Sequence, residues 1–307
     1  MTAGHSRKDT GPGPADTAAS PALDEAFDRM AATDFELSNG FVNHGPMACE
    51  ALATLGCVEE IDGWARWFAG MVGEGPTPVA PRAFVEFDWQ GALGDYVRLP
   101  EWLGYFDAAI ADAGWSSVVE LWVPRLIPAL STALFHGAIR TAHAVRAIDH
   151  ADTVPRRNEL ARALGYWAAR FRSGQPAPDA EPVDEIVRSV SEAAADAAGF
   201  YLASPNIFNL HGVTGAMALE LLVDHIPAEA GVAALVQVRA EHAAMFTGRE
   251  QVGVVDACGR WDEALAPVVA SSRDAHQVKL VEACRRGLAS IGDPVFVAAA
   301  EQVAGRR

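Results

Sequence analysis

Apolar positions recur at three- and four-residue spacing in one stretch of the chain after another, the pattern of helices that each turn one stripe toward a core. Ser20-Pro21 reads as a cap followed by proline in the first turn, opening a helix over residues 21–32. A second helix is predicted over 46–55, with Gly56 where it would end. Residues 59–71 place Ile61, Trp64, Trp67 and Phe68 on one side. The same periodicity predicts helices at 100–113, 158–171, 183–198, 212–224, 228–246, 261–270, 273–291 and 294–303. The long apolar stretch 122–147 is expected to break or begin near Pro128. Only FVEFDW at 84–89 looks like a strand, and it is too short to carry a sheet alone. The expected fold class is all-α, a multi-helix bundle.

Two segments interrupt the pattern. Residues 1–20 begin with a run rich in Gly, Pro, Ala and Thr and read as a disordered tail. Residues 173–182 read as a polar, proline-rich linker. Histidines of interest lie on both sides of that linker, so residues 21–307 are expected to form a single helical catalytic domain.

Charge narrows the partners. Lys and Arg total 24 against 40 Asp and Glu, a net charge of −16, which leaves no basic stripe for phosphates. Nucleic acid and anionic membrane surfaces are therefore not expected partners; a small molecule is. No apolar run is long enough for a membrane span, and the first residues lack an apolar signal core, so a cytoplasmic protein is expected. Cys49, Cys57, Cys258 and Cys284 lack CxxC spacing and read as buried reduced thiols. There is no G-x-G-x-x-G after a strand, no P-loop and no G-x-S-x-G elbow. Oligomeric state is left open.

The candidate chemistry lies in the nine histidines and one lysine. His136 and His143 are seven apart, two turns along one helix face. His44 and His211 stand at expected helix starts, and His276 and Lys279 share a face at a spacing of three. Lys279 is conspicuous because the only other lysine is Lys8, in the tail. His5, His150, His225 and His242 have charged or terminal neighbours and are read as non-ligands. His143 is open between a ligand, a support to a ligand and a substrate contact. Arg140 is open between pairing with a substrate oxygen and a buried salt bridge. Trp64, Trp67, Trp102, Tyr105, Phe106, Trp115, Trp122, Tyr166 and Trp167 line either a pocket for a flat substrate or the core.

Four local segments, LSNGFVNHGPM at 37–47, FHGAIRTAH at 135–143, LHGVTGA at 210–216 and HQVK at 276–279, stand in an order that resembles the questin oxidase family over residues 35–290. That resemblance implies a helical oxygenase that oxidises aromatic polyketides by Baeyer–Villiger-like oxygen insertion or ring cleavage. It implies non-haem Fe(II) held by His44, His136, His211, His276 and a Lys279 carboxylated by carbon dioxide to its carbamate. His143 and Arg140 are then the candidate catalytic residues, dioxygen a co-substrate, and NADPH an open question. The stretch Arg140-Thr141-Ala142-His143 departs from the members that act on anthraquinones, which bears on the substrate more than the metal. Two other classes remain open: a metallo-hydrolase with a carboxylated lysine, and a non-catalytic helical binding protein with structural histidines.

Overall fold

The computed structural model describes residues 17–79, 88–178, 185–253 and 260–306. Among them are fourteen α-helices and no strand. They are α1 (Pro21–Met30), α2 (Gly45–Thr54), α3 (Ile61–Met71), α4 (Trp89–Ala92), α5 (Leu99–Ala113), α6 (Trp115–Leu126) and α7 (His136–His150). There follow α8 (Val154–Ala169), α9 (Ile186–Ala203), α10 (Ile207–Leu222), α11 (Ala228–Phe246), α12 (Leu265–Ser271), α13 (Ala275–Ile291) and α14 (Val295–Val303). The all-α expectation holds.

Most predicted helices lie where the periodicity put them, with ends set by local chemistry. Ser20 caps α1, its hydroxyl accepting from the Ala22 amide, with Pro21 in the first turn. Asn206 caps α10 by accepting from the Phe208 and Asn209 amides, so this helix begins five residues before the predicted start at 212. His211 therefore lies inside the helix.

The apolar stretch 122–147 is two helices separated by an irregular turn. Helix α6 begins earlier, at Trp115, and a 3-10 turn at Ile127–Ala129 follows it. Ala133, Leu134 and Phe135 then carry left-handed backbones (φ 49°, 54° and 64°) directly before α7. Non-glycine residues in that region each cost about 1–3 kcal/mol, so packing must hold them there. Phe135 shows how: it is fully buried, and its ring presses on α10 where Gly215 has no Cβ.

The strand expected at 84–89 lies mainly outside the described residues, and its last residue, Trp89, opens α4. Of the residues expected to form a tail, 1–16 lie outside the described residues, while Thr17 and Ala18 are buried. The start of the expected linker is held fast. Gly174 donates to the Pro128 carbonyl (2.7 Å), and Gln175 donates to Glu241 and accepts from Gln237 on α11.

At the centre, α2 packs on α7, α7 on α10, α10 on α13, and α13 back on α2, which closes a ring of four helices. Helices α7 and α10 are buried nearly all round, as helices without an exposed stripe must be. Around the ring, α8 covers α7, α9 covers α10, α14 covers α13, and α1 with α3 covers α2. Side-chain contacts between the four advance together along the chain. His44 meets His136, six and seven residues later Glu50 meets His143, and deeper still Arg146 meets Glu282 and Arg286 meets Glu220. The four helices therefore run parallel, with their N-termini at one end.

Gly215→Ala separates packing from helix propensity. A methyl there would sit 2.5 Å from Phe135 Cγ, and the ring's stem cannot yield. Despite the helix-forming gain of alanine, the variant is expected to lose about 1–3 kcal/mol in urea denaturation. Gly70→Ala, whose methyl meets nothing within 4 Å, is expected to gain about 0.5–1 kcal/mol. Equal effects at the two positions would contradict this packing.

Candidate metal centre

Each of the four predicted histidine ligands enters the ring near the start of its helix. His44 is the residue before α2, held by Asn43, whose amide bonds Thr33 Oγ1 and the Asp34 carbonyl while its oxygen accepts from Gly45 N. His136 is the first residue of α7, placed by the left-handed turn before it. His211 is one turn into α10, and His276 is second in α13, after the Asp274 cap. Three of the four are followed by glycine, and in each case a core side chain fills the missing Cβ position. Added methyls would lie 2.5 Å from Met30 Sδ at Gly45, 2.5 Å from Trp167 Cγ at Gly137 and 2.7 Å from Phe246 Cζ at Gly212. These glycines let the histidine-bearing helix ends sit close against the core.

One ligand nitrogen from each of the four rings lies within 4.8 Å of the others. The contacts include His44 Nε2 to His136 Nε2 at 2.7 Å and His136 Nε2 to His211 Nε2 at 3.0 Å. Nitrogens bound ~2.1 Å from one ion would be ~3.0 Å apart at right angles and ~4.2 Å apart across it, so small shifts bring all four onto a common cation.

The tautomers make the case sharper. His136 Nδ1 donates to the Ala133 carbonyl, and His211 Nδ1 donates to the Ile207 carbonyl at 2.7 Å. In neutral rings both Nε2 atoms are then bare lone pairs, facing each other with no proton between them. Protonating one ring would supply a proton. Burial, with the neighbouring His211 and Lys279 charges, holds His136 well below the usual 6.5, and burial and Lys279 do the same for His211. His44 is lowered likewise, by burial first and Lys279 second, and burial lowers His276. His276 Nδ1 lies 3.4 Å from Asp274 Oδ1, while its buried Nε2 has no hydrogen-bond partner. A group of four histidines built this way can hold a metal ion.

Lys279 stands among them on α13, 1% exposed, its Nζ also without a partner. Burial drives its pKa from 10.5 to about 7, against the opposing pull of the Asp274 charge. No carboxylate joins the group of ligand atoms among the described residues. Four helix N-termini, each worth roughly half a positive charge, point at the same place. A cation bound here would meet neutral imidazoles and positive helix ends, so the arrangement calls for an anion.

An open cavity of about 600 Å³ reaches His44, His136 and His276. Its wall mixes apolar residues, among them Phe41, Val42, Leu134 and Ile207, with polar ones, among them Ser131, Thr132, Arg170 and Arg172. Sequence reasoning missed this wall; the 173–182 stretch that looked like a linker supplies Ser173 and Gly174 to it.

Arg140 and His143 lie elsewhere. Arg140 forms a bidentate pair with Glu159 of α8 (2.6 and 2.9 Å) and sits over the Phe35 ring. His143 Nδ1 meets Glu50 at 2.5 Å beside Arg146. Neither lines the cavity. The nine aromatics named above do not line it either. Trp64, Trp102 and Trp167 are core residues whose indole N–H groups donate to the carbonyls of Ala270, Ala92 and Ala129. His225 pairs with Asp149, His150 is exposed, and His242 donates to the Gly212 carbonyl, while His5 is outside the described residues. Cys49 and Cys284 are buried free thiols, Cys57 is half-buried, and Cys258 is outside the described residues.

No family model matches the chain, and no curated protein matches it at a significant level.

The metal-free site carries a pH signature. Lys279 is neutral in the fold above about pH 7 and protonated in the unfolded chain up to 10.5. The unfolded state thus binds more protons in that window, and stability rises with pH by up to ~1.4 kcal/mol per unit. The four imidazoles have the same sign lower down, losing stability as pH falls below 6.5. Lys279→Met is expected to be more stable than the metal-free parent near pH 7 and to lack its rise between pH 7 and 10. Parallel curves for the two in urea denaturation at pH 7, 8 and 9 would contradict a buried, depressed amine.

Proposed function

We propose that the chain is a non-haem iron oxygenase that inserts oxygen into, or cleaves, an aromatic polyketide or related secondary metabolite, as its resemblance to the questin oxidase family implies. The observation that carries the metal is the pair of unprotonated Nε2 atoms of His136 and His211 facing each other at 3.0 Å beside two further imidazoles. Imidazole suits Fe(II), and an all-histidine set with one anionic oxygen moderates the charge of the centre. When bound, iron would supply the electrons and the binding place that dioxygen chemistry needs.

The chain's own groups have definable roles. Lys279, as a neutral amine, can add to carbon dioxide and release a proton, giving a carbamate whose oxygen supplies the missing negative charge. Neither His136 nor His211 needs to change protonation to bind a cation, because each already turns its N–H to a carbonyl. His276 and His44 border the cavity, so a substrate held there stands beside the cluster. A volume of about 600 Å³ suits a flat molecule of several fused rings. Arg172 is exposed at its edge and forms no ion pair among the described residues, which suits a phenolate or carboxylate on that substrate.

Metal analysis of freshly purified protein together with oxygen-electrode traces tests this reading. Iron near one per chain with oxygen uptake on adding a polyphenolic polyketide is expected, with or without NADPH. Lys279→Ala is expected to lose iron and oxygen uptake together, and Lys8→Ala to keep both. Zinc without oxygen uptake would favour the hydrolase, and a metal-free chain of full stability would leave only a binding protein.

A further inference from the structure

Beneath the histidines the four ring helices are joined a second time, by ion pairs. Glu50 of α2 accepts from Arg146 Nε at 2.7 Å and from its Nη2 at 2.5 Å, both from α7, and from His143 Nδ1 at 2.5 Å. Arg146 continues to Glu282 of α13. Glu282 accepts from Arg286 Nε at 2.7 Å, and Arg286 reaches Glu220 and the Met217 carbonyl of α10 (3.0 Å). One unbroken chain thus touches every helix that presents a histidine to the cluster. Its members follow the histidines by six to ten residues, a depth of roughly 9–15 Å at 1.5 Å per residue.

Stability alone is a poor reason for such a chain. Glu50 and Glu282 are each 1% exposed, Arg146 is 7% exposed, and apolar residues of similar volume would fill the space as well or better. Ion pairs do what apolar packing cannot: they fix the axial register of neighbouring helices, since a one-turn slip of any helix strands a buried charge. The composition matters too. Three carboxylates face two guanidiniums, so with a neutral His143 the chain holds one excess negative charge below a site that lacks an anionic side chain.

We infer that the Glu50–Arg146–Glu282–Arg286–Glu220 chain is a positioning network that sets the spacing of His44, His136, His211 and His276 and offsets the charge of the cation they hold. The inference rests on the four-histidine metal site proposed above. Glu282 is its central residue, because it joins Arg146 to Arg286 and stands two turns below His276 on the same helix.

Cobalt(II) titration of the metal-stripped chain, read by its visible ligand-field bands, is the test. Glu282→Gln keeps the shape and removes the charge, and is expected to weaken cobalt binding about 10–100-fold and to shift the bands. Glu220→Gln, at the less buried end, is expected to fold normally and show a smaller shift in the same direction. Glu159→Gln breaks another buried pair, Arg140–Glu159, that ties α7 only to α8. It is expected to lower thermal stability while leaving cobalt affinity and bands unchanged. If Glu282→Gln or Glu220→Gln binds cobalt as the parent does, the positioning role is wrong. If Glu159→Gln weakens binding equally, the effect is general destabilisation and the role is again wrong. Should the parent itself bind no cobalt, the metal site fails, and this inference with it. If Glu282→Gln does not fold, the Glu220→Gln comparison decides alone.

Discussion

Two nitrogen lone pairs, on His136 and His211, point at each other 3.0 Å apart inside the protein. Both residues are buried, and a proton is disfavoured by burial and by Lys279 close by. A cation is the species that turns this repulsion into attraction. The surrounding structure is arranged so that the rings cannot turn away: each Nδ1 is tied to a carbonyl of its own or the preceding turn.

Keeping four such rings together takes a particular fold. A parallel ring of helices brings four N-termini to one end, whereas an up-down bundle would bring only two. Parallel neighbours need long crossings, and here the chain passes through α3 to α6, α8 and α9, and α11 and α12 between successive members of the ring. Those crossings become the outer layer that buries α7 and α10. The arrangement makes the histidine end electropositive before any ion arrives. The left-handed residues 133–135 belong to the same design: they re-aim α7 so that His136 becomes its first residue, and the Phe135 ring against Gly215 holds the turn.

Much of this is legible in the sequence itself. Helical periodicity located most of the helices because their stripes are well defined, and the four histidines stood out through the short segments around them. The failures have physical causes. The start of α10 was placed five residues late because Asn206 follows Ser204-Pro205, and a cap beside a turn signal reads as loop. The left-handed turn at 133–135 has no glycine to announce it. The linker reading of 173–182 follows composition, while hydrogen bonds to Pro128 and α11 hold its residues Gly174 and Gln175 in place. Arg140 and His143 lie on a helix buried all round, so face alone did not separate a substrate contact from an ion pair; their partners Glu159 and Glu50 are distant in sequence and carry no local signal. The aromatic residues followed the commoner rule and formed core.

The central claim is that one ion belongs among four imidazoles. Anomalous diffraction at the iron edge, from crystals grown anaerobically with ferrous iron, addresses it most directly. The account predicts a single strong peak ~2.0–2.3 Å from a ring nitrogen of each of His44, His136, His211 and His276. A map with no peak there, or with iron held only by surface carboxylates, would contradict it.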